Sequence, residues 1–255
     1  MAQNVYDDES FFAAYARLPR SVDGLNGAPE WPSVRGMLPS IEKRAVLDLG
    51  CGYGWFCRWA ATNRAREIVG VDLSERMLER ARRDSESMPI EYERADLDEL
   101  RLTPSSFDLV YSSLTFHHVA DLDRLLSEVA AAIVPGGSLV FSVEHPIFMA
   151  PTRPRFIEDD GLMVWPLDRY LTEGRRETDW LVPGVVEFHR TIATYLRELR
   201  RVGLAVDELI EWGPSAEQVI GTPAWAVELD HQSGSPHTAC ALRRSGHSRR
   251  ARETL

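Results

Sequence analysis

The sequence predicts an α/β protein built on a doubly wound, mostly parallel sheet, and three observations carry that prediction. Apolar runs alternate with helix-spaced segments between residues 45 and 144. The first run, Ala45–Leu49, ends in a glycine-rich turn, Gly50-Cys-Gly-Tyr-Gly54, that leads into a helix. The second run, Ile68–Asp72, ends on a carboxylate. Such an order calls for right-handed crossovers and places ligands at the carboxyl ends of the strands.

Each element is justified by its own residues. Residues 1–44 are irregular apart from a short helix over Ser10–Arg17, because Gly24, Gly27, Pro29, Pro32, Gly36 and Pro39 interrupt the remainder of that stretch. Trp55–Thr62 reads as a helix. Ser74 is a good N-cap for Glu75–Arg83, with Met77, Leu78 and Ala81 on one side. Ile90–Arg94 and Phe107–Ser112 read as the third and fourth strands. Leu122–Val134 carries Leu122, Leu125, Leu126, Val129 and Ile133 at helical spacing, and Pro135-Gly-Gly137 turns the chain into a fifth strand, Ser138–Glu144. From His145 to Arg190 prolines and aromatics alternate without periodicity, which in a compact domain marks a lid or binding loop. Thr191 caps a helix that runs to Val202 and stops at Gly203. Leu204–Glu211 and Thr238–Arg243 are the last strands, and the small, basic, polar tail 244–255 is expected to be disordered.

Composition bounds the function. A chain of 255 residues with 44% hydrophobic content can bury a full α/β core. A net charge of −10 repels phosphate backbones and disfavours a nucleic-acid partner. Cys51, Cys57 and Cys240 form neither a disulfide framework nor a zinc signature. Asp159-Asp160 and the scattered histidines lack metal-ligand spacing, so no metal site is expected. With neither a signal peptide nor a membrane-spanning run, the expectation is a cytoplasmic protein, free of the membrane, as monomer or homodimer.

The turn after the first strand lets the backbone approach a ligand without a Cβ in the way. Asp72, at the end of the next strand, can accept hydrogen bonds from both hydroxyls of a ribose. Two nucleoside cofactors suit this arrangement. A nicotinamide dinucleotide favours G-x-G-x-x-G with amides aimed at a pyrophosphate. The spacing here is G-x-G-x-G with Asp48 just upstream, which suits S-adenosylmethionine: the turn would lie against its methionine part, with Asp48 holding the ammonium directly or through water.

Val46-Leu-Asp-Leu-Gly-Cys-Gly-Tyr-Gly54, Gly70-Val-Asp-Leu-Ser74, Ala95-Asp96, Phe107-Asp-Leu-Val110 and Val134-Pro-Gly-Gly-Ser138 resemble, in order, the successive motifs of class I S-adenosylmethionine-dependent methyltransferases of the small-molecule type. The resemblance implies a Rossmann-like seven-stranded sheet with an antiparallel last strand. It implies a lid in residues 1–44, a methyltransferase domain over 45–243 and an acceptor-binding insertion at 146–190. It further implies S-adenosylmethionine as cofactor and S-adenosylhomocysteine as product, with Asp72 on the ribose, Asp96 and Leu97 at the adenine, and Gly50, Cys51 and Gly52 at the turn. Leu73 and Met77 would stand beside the adenosine and Ser112 near the methyl. Tyr15 or Arg20 of the lid can reach the methionine carboxylate, Arg20 by a two-pronged contact.

Methyl transfer from a sulfonium is an in-line displacement, and a base is needed only when the acceptor holds a proton that must leave. Ser112-Ser-Leu-Thr-Phe-His-His-Val119 comes directly after the fourth strand, which makes His117 the first candidate for a base or orienting group, with His118 beside it on the acceptor. His145 ends the fifth strand and is the second catalytic candidate. His189, Trp165 and Trp180 of the insertion are candidates for the walls of a pocket that suits a flat or partly apolar small molecule. His231, His237 and His247 fall in late segments that suit a surface role. The expected reaction is methylation at nitrogen or oxygen of a natural-product or quinone-type metabolite. A nicotinamide-dependent oxidoreductase and a non-catalytic module that binds S-adenosylmethionine are the alternatives.

Overall fold

A computed structural model of the chain describes residues 3–221 and 237–244. In order the elements are α1 (Glu9–Tyr15), α2 (Pro19–Val22), α3 (Trp31–Met37), β1 (Ala45–Leu49), α4 (Trp55–Thr62), β2 (Glu67–Asp72), α5 (Glu75–Asp84), β3 (Glu91–Arg94) and β4 (Phe107–Ser113). Next come α6 (Leu122–Ala132), β5 (Ile133–Glu144), α7 (Pro146–Met149), β6 (Ile157–Asp159), β7 (Leu162–Val164), β8 (Gly174–Thr178) and β9 (Val185–His189). The last are α8 (Ile192–Arg201), β10 (Leu204–Glu211), α9 (Ala216–Gly221) and β11 (His237–Arg244). His231, His247 and the tail from residue 245 lie outside the described residues.

The alternating strand and helix pattern holds: β5, β4, β1, β2 and β3 lie side by side and parallel. On the other flank β11 pairs antiparallel with both β5 and β10, giving the order β10-β11-β5-β4-β1-β2-β3. Every residue of β1 is buried, as a strand covered on both faces requires. The pleat deals alternate residues to two cores. Leu47, Leu49, Val110, Leu139 and Phe141 meet α6 and α8 on one face. Val46, Leu109, Tyr111 and Val140 meet α3 and α4 on the other. Each such side chain contributes roughly 1.5–3 kcal/mol by leaving water.

Local signals account for the boundaries. Ser74 Oγ accepts from Met77 N at 3.1 Å and caps α5, and Thr191 Oγ1 accepts from Thr194 N at 3.2 Å and caps α8. Helix α8 ends before Gly203, whose φ of 79° only glycine adopts without strain. Helix α6 stops two residues short of the expected Val134. Pro135-Gly-Gly137 bulges within β5 instead of preceding it: Phe107 pairs with Ile133 while Leu109 pairs with Ser138.

The N-terminal region is more ordered than its glycines and prolines suggest. The residues of this region that line the space above the strand ends run only as far as Pro29. Trp31, Val34 and Ile41 are core residues packed with Phe56 and Ala60, because Pro32 sits in the first turn of α3, where its missing N–H costs nothing. The aperiodic insertion likewise holds two antiparallel hairpins, β6–β7 and β8–β9.

Candidate active site

The turn between β1 and α4 is fixed from beneath. Gly50 N and Cys51 N both donate to Val71 O, at 2.8 and 3.0 Å, which ties the turn to β2. Gly50 has φ 75°, and a Cβ there would come within 2.1 Å of Thr115 Oγ1. Gly52, at φ 51°, has nothing within 4 Å of where its Cβ would stand, so the cavity reaches its backbone. Gly52 N donates to Asp72 Oδ2 at 2.8 Å, and Ser74 N donates to Oδ1 at 2.9 Å. Each Asp72 oxygen keeps a further lone pair for a ligand hydroxyl. Burial raises the Asp72 carboxyl, against the pull of the Ser74 and Gly52 amides.

A cavity of about 1880 Å³ opens above these strand ends. Asp72, Leu73, Met77, Gly50, Gly52, Asp96 and Leu97 all line it. Asp96 is shaped by its own loop, its Oδ1 accepting from Asp98 N at 2.9 Å. Tyr15 and Arg20 line the roof, Arg20 paired to Glu30 at 3.1 Å. Behind the turn a smaller space of about 100 Å³ is bounded by Tyr15, Arg20, Asp48, Cys51 and Tyr111. Burial pushes the Asp48 carboxyl up to about 7, opposed by the Cys57 thiol 3.4 Å away.

The other end of the cavity is polar and enclosed. His117, 4% exposed, accepts on Nδ1 from Glu144 N at 3.2 Å. His118 Nδ1 donates to Val186 O at 3.2 Å, and burial lowers the pKa of this ring. The two imidazole centroids are 4.3 Å apart. Glu187, also 4% exposed, completes the group: one ligating atom from each of His117, His118 and Glu187 lies within 4.8 Å of the others. Sequence spacing points to no metal ligands, whereas the fold gathers these three donors. Glu144 lines the same space, and its carboxyl is raised well above its usual range by burial and by Glu187. Burial pushes Glu187 up to about 7.

Several sequence candidates stand elsewhere. His145 is not in the cavity wall: its Nε2 meets a Glu211 carboxylate oxygen at 2.6 Å and its Nδ1 accepts from Ile147 N, capping α7. The pleat at the end of β5 turns Glu144 into the cavity and His145 away from it. His189 is wholly buried, with Nε2 on Tyr170 O at 2.8 Å, and takes no part in the lining. Ser112 Oγ donates to Leu49 O at 2.8 Å and ties β4 to β1, leaving Ser113 at the cavity. Cys51 sits behind the turn, its thiol raised well above its usual range by burial, which makes it unreactive. Trp165 and Trp180 do line the cavity. Trp165 donates to Ile147 O at 2.9 Å and packs on Phe148, while Trp180 meets Phe11 edge-on at 5.4 Å.

Glu144, Glu187 and Tyr6 are site residues that the sequence does not single out. A glutamate in Val185-Val-Glu-Phe-His189 carries a strand's alternation but nothing that says which cavity the strand crosses. The N-terminal segment closes over this end. Gln3 accepts from Val186 N at 2.8 Å and donates to Gly184 O at 2.9 Å, and Asp7 accepts from Ser74 Oγ at 2.5 Å.

Comparison with known proteins decides between the nucleoside cofactors. The methyltransferase domain family matches residues 47–141. A crystal structure of an S-adenosylmethionine-dependent methyltransferase from Mesorhizobium loti is 50% identical, covers 87% of this chain and all of its own, and superimposes with a TM-score of 0.82. The chain belongs to the class I S-adenosylmethionine-dependent methyltransferases. An uncharacterized protein of Haemophilus influenzae is 30% identical over 91% of this chain and 93% of its own length. The 27-O-demethylrifamycin SV methyltransferase of Amycolatopsis mediterranei is 32% identical over 78% of this chain and 66% of its own. The nicotinamide alternative and the non-catalytic one give way, and S-adenosylmethionine is the cofactor of this methyltransferase. Its site fits: a half-buried carboxylate with open lone pairs ends β2, and glycine backbone is bare to the cavity.

Proposed function

We propose that this methyltransferase acts on nitrogen or oxygen of a small molecule held between the cofactor site and the insertion. The observation that carries the reading is the buried group of His117, His118 and Glu187, which lines the same cavity as Asp72 and the glycine turn. Bound S-adenosylmethionine supplies an electrophilic methyl on sulfur. In this reading Asp72 holds the ribose, Leu73 and Met77 flank the adenosine, and Asp96 with Leu97 borders the adenine. Gly50 and Gly52 let the methionine part lie close, with Tyr15 and Arg20 above it and Asp48 behind the turn. Trp165, Phe148 and Trp180 exclude water and sandwich the acceptor.

The hydrogen bonds give the two adjacent histidines different work. His117 accepts on Nδ1, so its neutral ring carries the proton on Nε2 and donates to the acceptor. His118 donates from Nδ1, which leaves a lone pair on Nε2, and burial keeps the ring neutral and able to take a proton. His118 or Glu187 is therefore the base, and His117 orients. The rifamycin methyltransferase among the relatives supports a metabolite-sized acceptor.

The test has two arms. Calorimetry with S-adenosylhomocysteine should show binding to the wild type and a loss of at least about tenfold in Asp72→Ala; an unbound wild type would sink the cofactor assignment. Once an acceptor is in hand, Glu187→Gln, rather than His118→Gln, should flatten the acidic limb of kcat/KM, while His117→Gln should lower kcat at every pH. A His117→Gln enzyme with full turnover throughout would remove its role.

A further inference from the structure

From the charges that the described residues of this cavity leave unpaired, we infer that the acceptor is an amine bearing an anionic group, methylated at its nitrogen. The inference rests on the methyltransferase reading and adds the substrate's chemistry.

The inner end is negative. The Glu144 and Glu187 carboxyls face each other's field and have no hydrogen-bond or ion-pair partner among the described residues. Arg176 is the cross-strand neighbour of Glu187, yet it donates to Thr172 O, Gly174 O and Arg175 O instead of to the carboxylate. A buried and a half-buried carboxyl side by side without a cation are costly unless protonated or met by a positive ligand. A primary or secondary ammonium supplies that charge and offers N–H donors to both.

The outer end is positive. Arg153, Arg155, Arg169 and Arg176 line the cavity from the insertion, and none makes an ion pair with a described residue; Arg175 beside them is held by Glu177 at 2.6 Å. Burial and the neighbouring Arg169 both weigh against the Arg176 charge, with only Asp168 opposing them, so the cations here outnumber the carboxylates beside them. In a chain of net charge −10 this is a local reversal of sign. Guanidinium groups suit a carboxylate or a phosphate. Phe148, Met149 and Trp165 line the same cavity and suit an apolar portion of the acceptor.

The chemistry balances. The bound ammonium gives one proton to Glu187, which frees its lone pair. The nitrogen then forms a bond to the methyl carbon as the carbon–sulfur bond breaks, and the sulfur keeps that electron pair in neutral S-adenosylhomocysteine. The product leaves as a methylated ammonium.

The test titrates the full chain, saturated with S-adenosylhomocysteine, with a length series of ω-aminoalkanoates and ω-aminoalkyl phosphates. Each is matched to its ω-hydroxy and its uncharged amide counterpart. At the best length the amine with an anion should bind at least about tenfold tighter than either counterpart, and the better anion tells carboxylate from phosphate. Glu187→Gln should erase the preference for amine over hydroxyl and leave that for the anion. The double variant Arg153→Gln/Arg169→Gln should do the reverse. Equal binding of the hydroxy compounds, or no binding anywhere in the series, would overturn the inference while the bound S-adenosylhomocysteine leaves the methyltransferase reading intact. So would a zinc or manganese titration with a micromolar site that Glu187→Gln abolishes, since the carboxylates would then serve a metal. Loss of S-adenosylhomocysteine binding by the wild type would strike the parent reading instead.

Discussion

Asp48 and Glu187 are both buried carboxyls pushed up to about 7, and each makes a separate pH prediction. An acid whose folded pKa lies above its unfolded value binds more protons when folded. Its stabilising contribution is full below about pH 4 and fades as pH rises through 7. Relative to Asp48→Asn, which does not titrate, the wild type should lose stability between pH 5 and 8, by about 2–3 kcal/mol. Urea unfolding at the two pH values measures it, and equal differences at both would show that Asp48 is already charged. For Glu187, which shares its surroundings with Glu144, His117, His118 and Tyr6, the deprotonated form is the base. Activity should rise with an apparent pKa near 7 that belongs to the glutamate pair. At this scale the sequence is legible where backbone geometry dictates the residue, as at Gly50 and Asp72. It is not legible at His145, Ser112 and His189, where the pleat and a single hydrogen-bond partner decide which side a residue faces.

At the scale of elements, the parallel strands and their helices can be read because each carries one periodicity and its own cap. The two insertion hairpins cannot. Their strands are only three to five residues long, so the alternation that β8 and β9 carry is too short to stand out among the prolines and aromatics around them. The same holds for α3, whose proline and glycine disguise a core helix. The turn after β1 tolerates little: Gly50→Ala meets both a left-handed φ and Thr115, and should lower stability by about 1–3 kcal/mol. Asp7 fastens the N-terminal segment to the capping residue of α5. Asp7→Ala should therefore weaken S-adenosylhomocysteine binding several-fold while thermal stability changes little, as differential scanning fluorimetry and calorimetry together would show.

Across the whole molecule, the two cores meet at the sheet, and neither depends on the insertion. Leu125→Ala, at a wholly buried position against the sheet, should cost about 2–5 kcal/mol in urea unfolding. Trp165→Ala should leave that midpoint nearly unchanged and act on acceptor affinity instead. Gln3, near one end of the chain, hydrogen-bonds to the strand that carries Glu187, nearly the length of the domain later. That strap has a kinetic meaning. In the proposed reading both ligands lie in the one cavity, and Gln3 and Asp7 fasten the N-terminal segment over it to β9 and α5. Turnover should then follow a compulsory order, S-adenosylmethionine entering first and S-adenosylhomocysteine leaving last. Product inhibition by S-adenosylhomocysteine would be competitive against S-adenosylmethionine and noncompetitive against the acceptor, and a Gln3→Ala enzyme would drift toward random order.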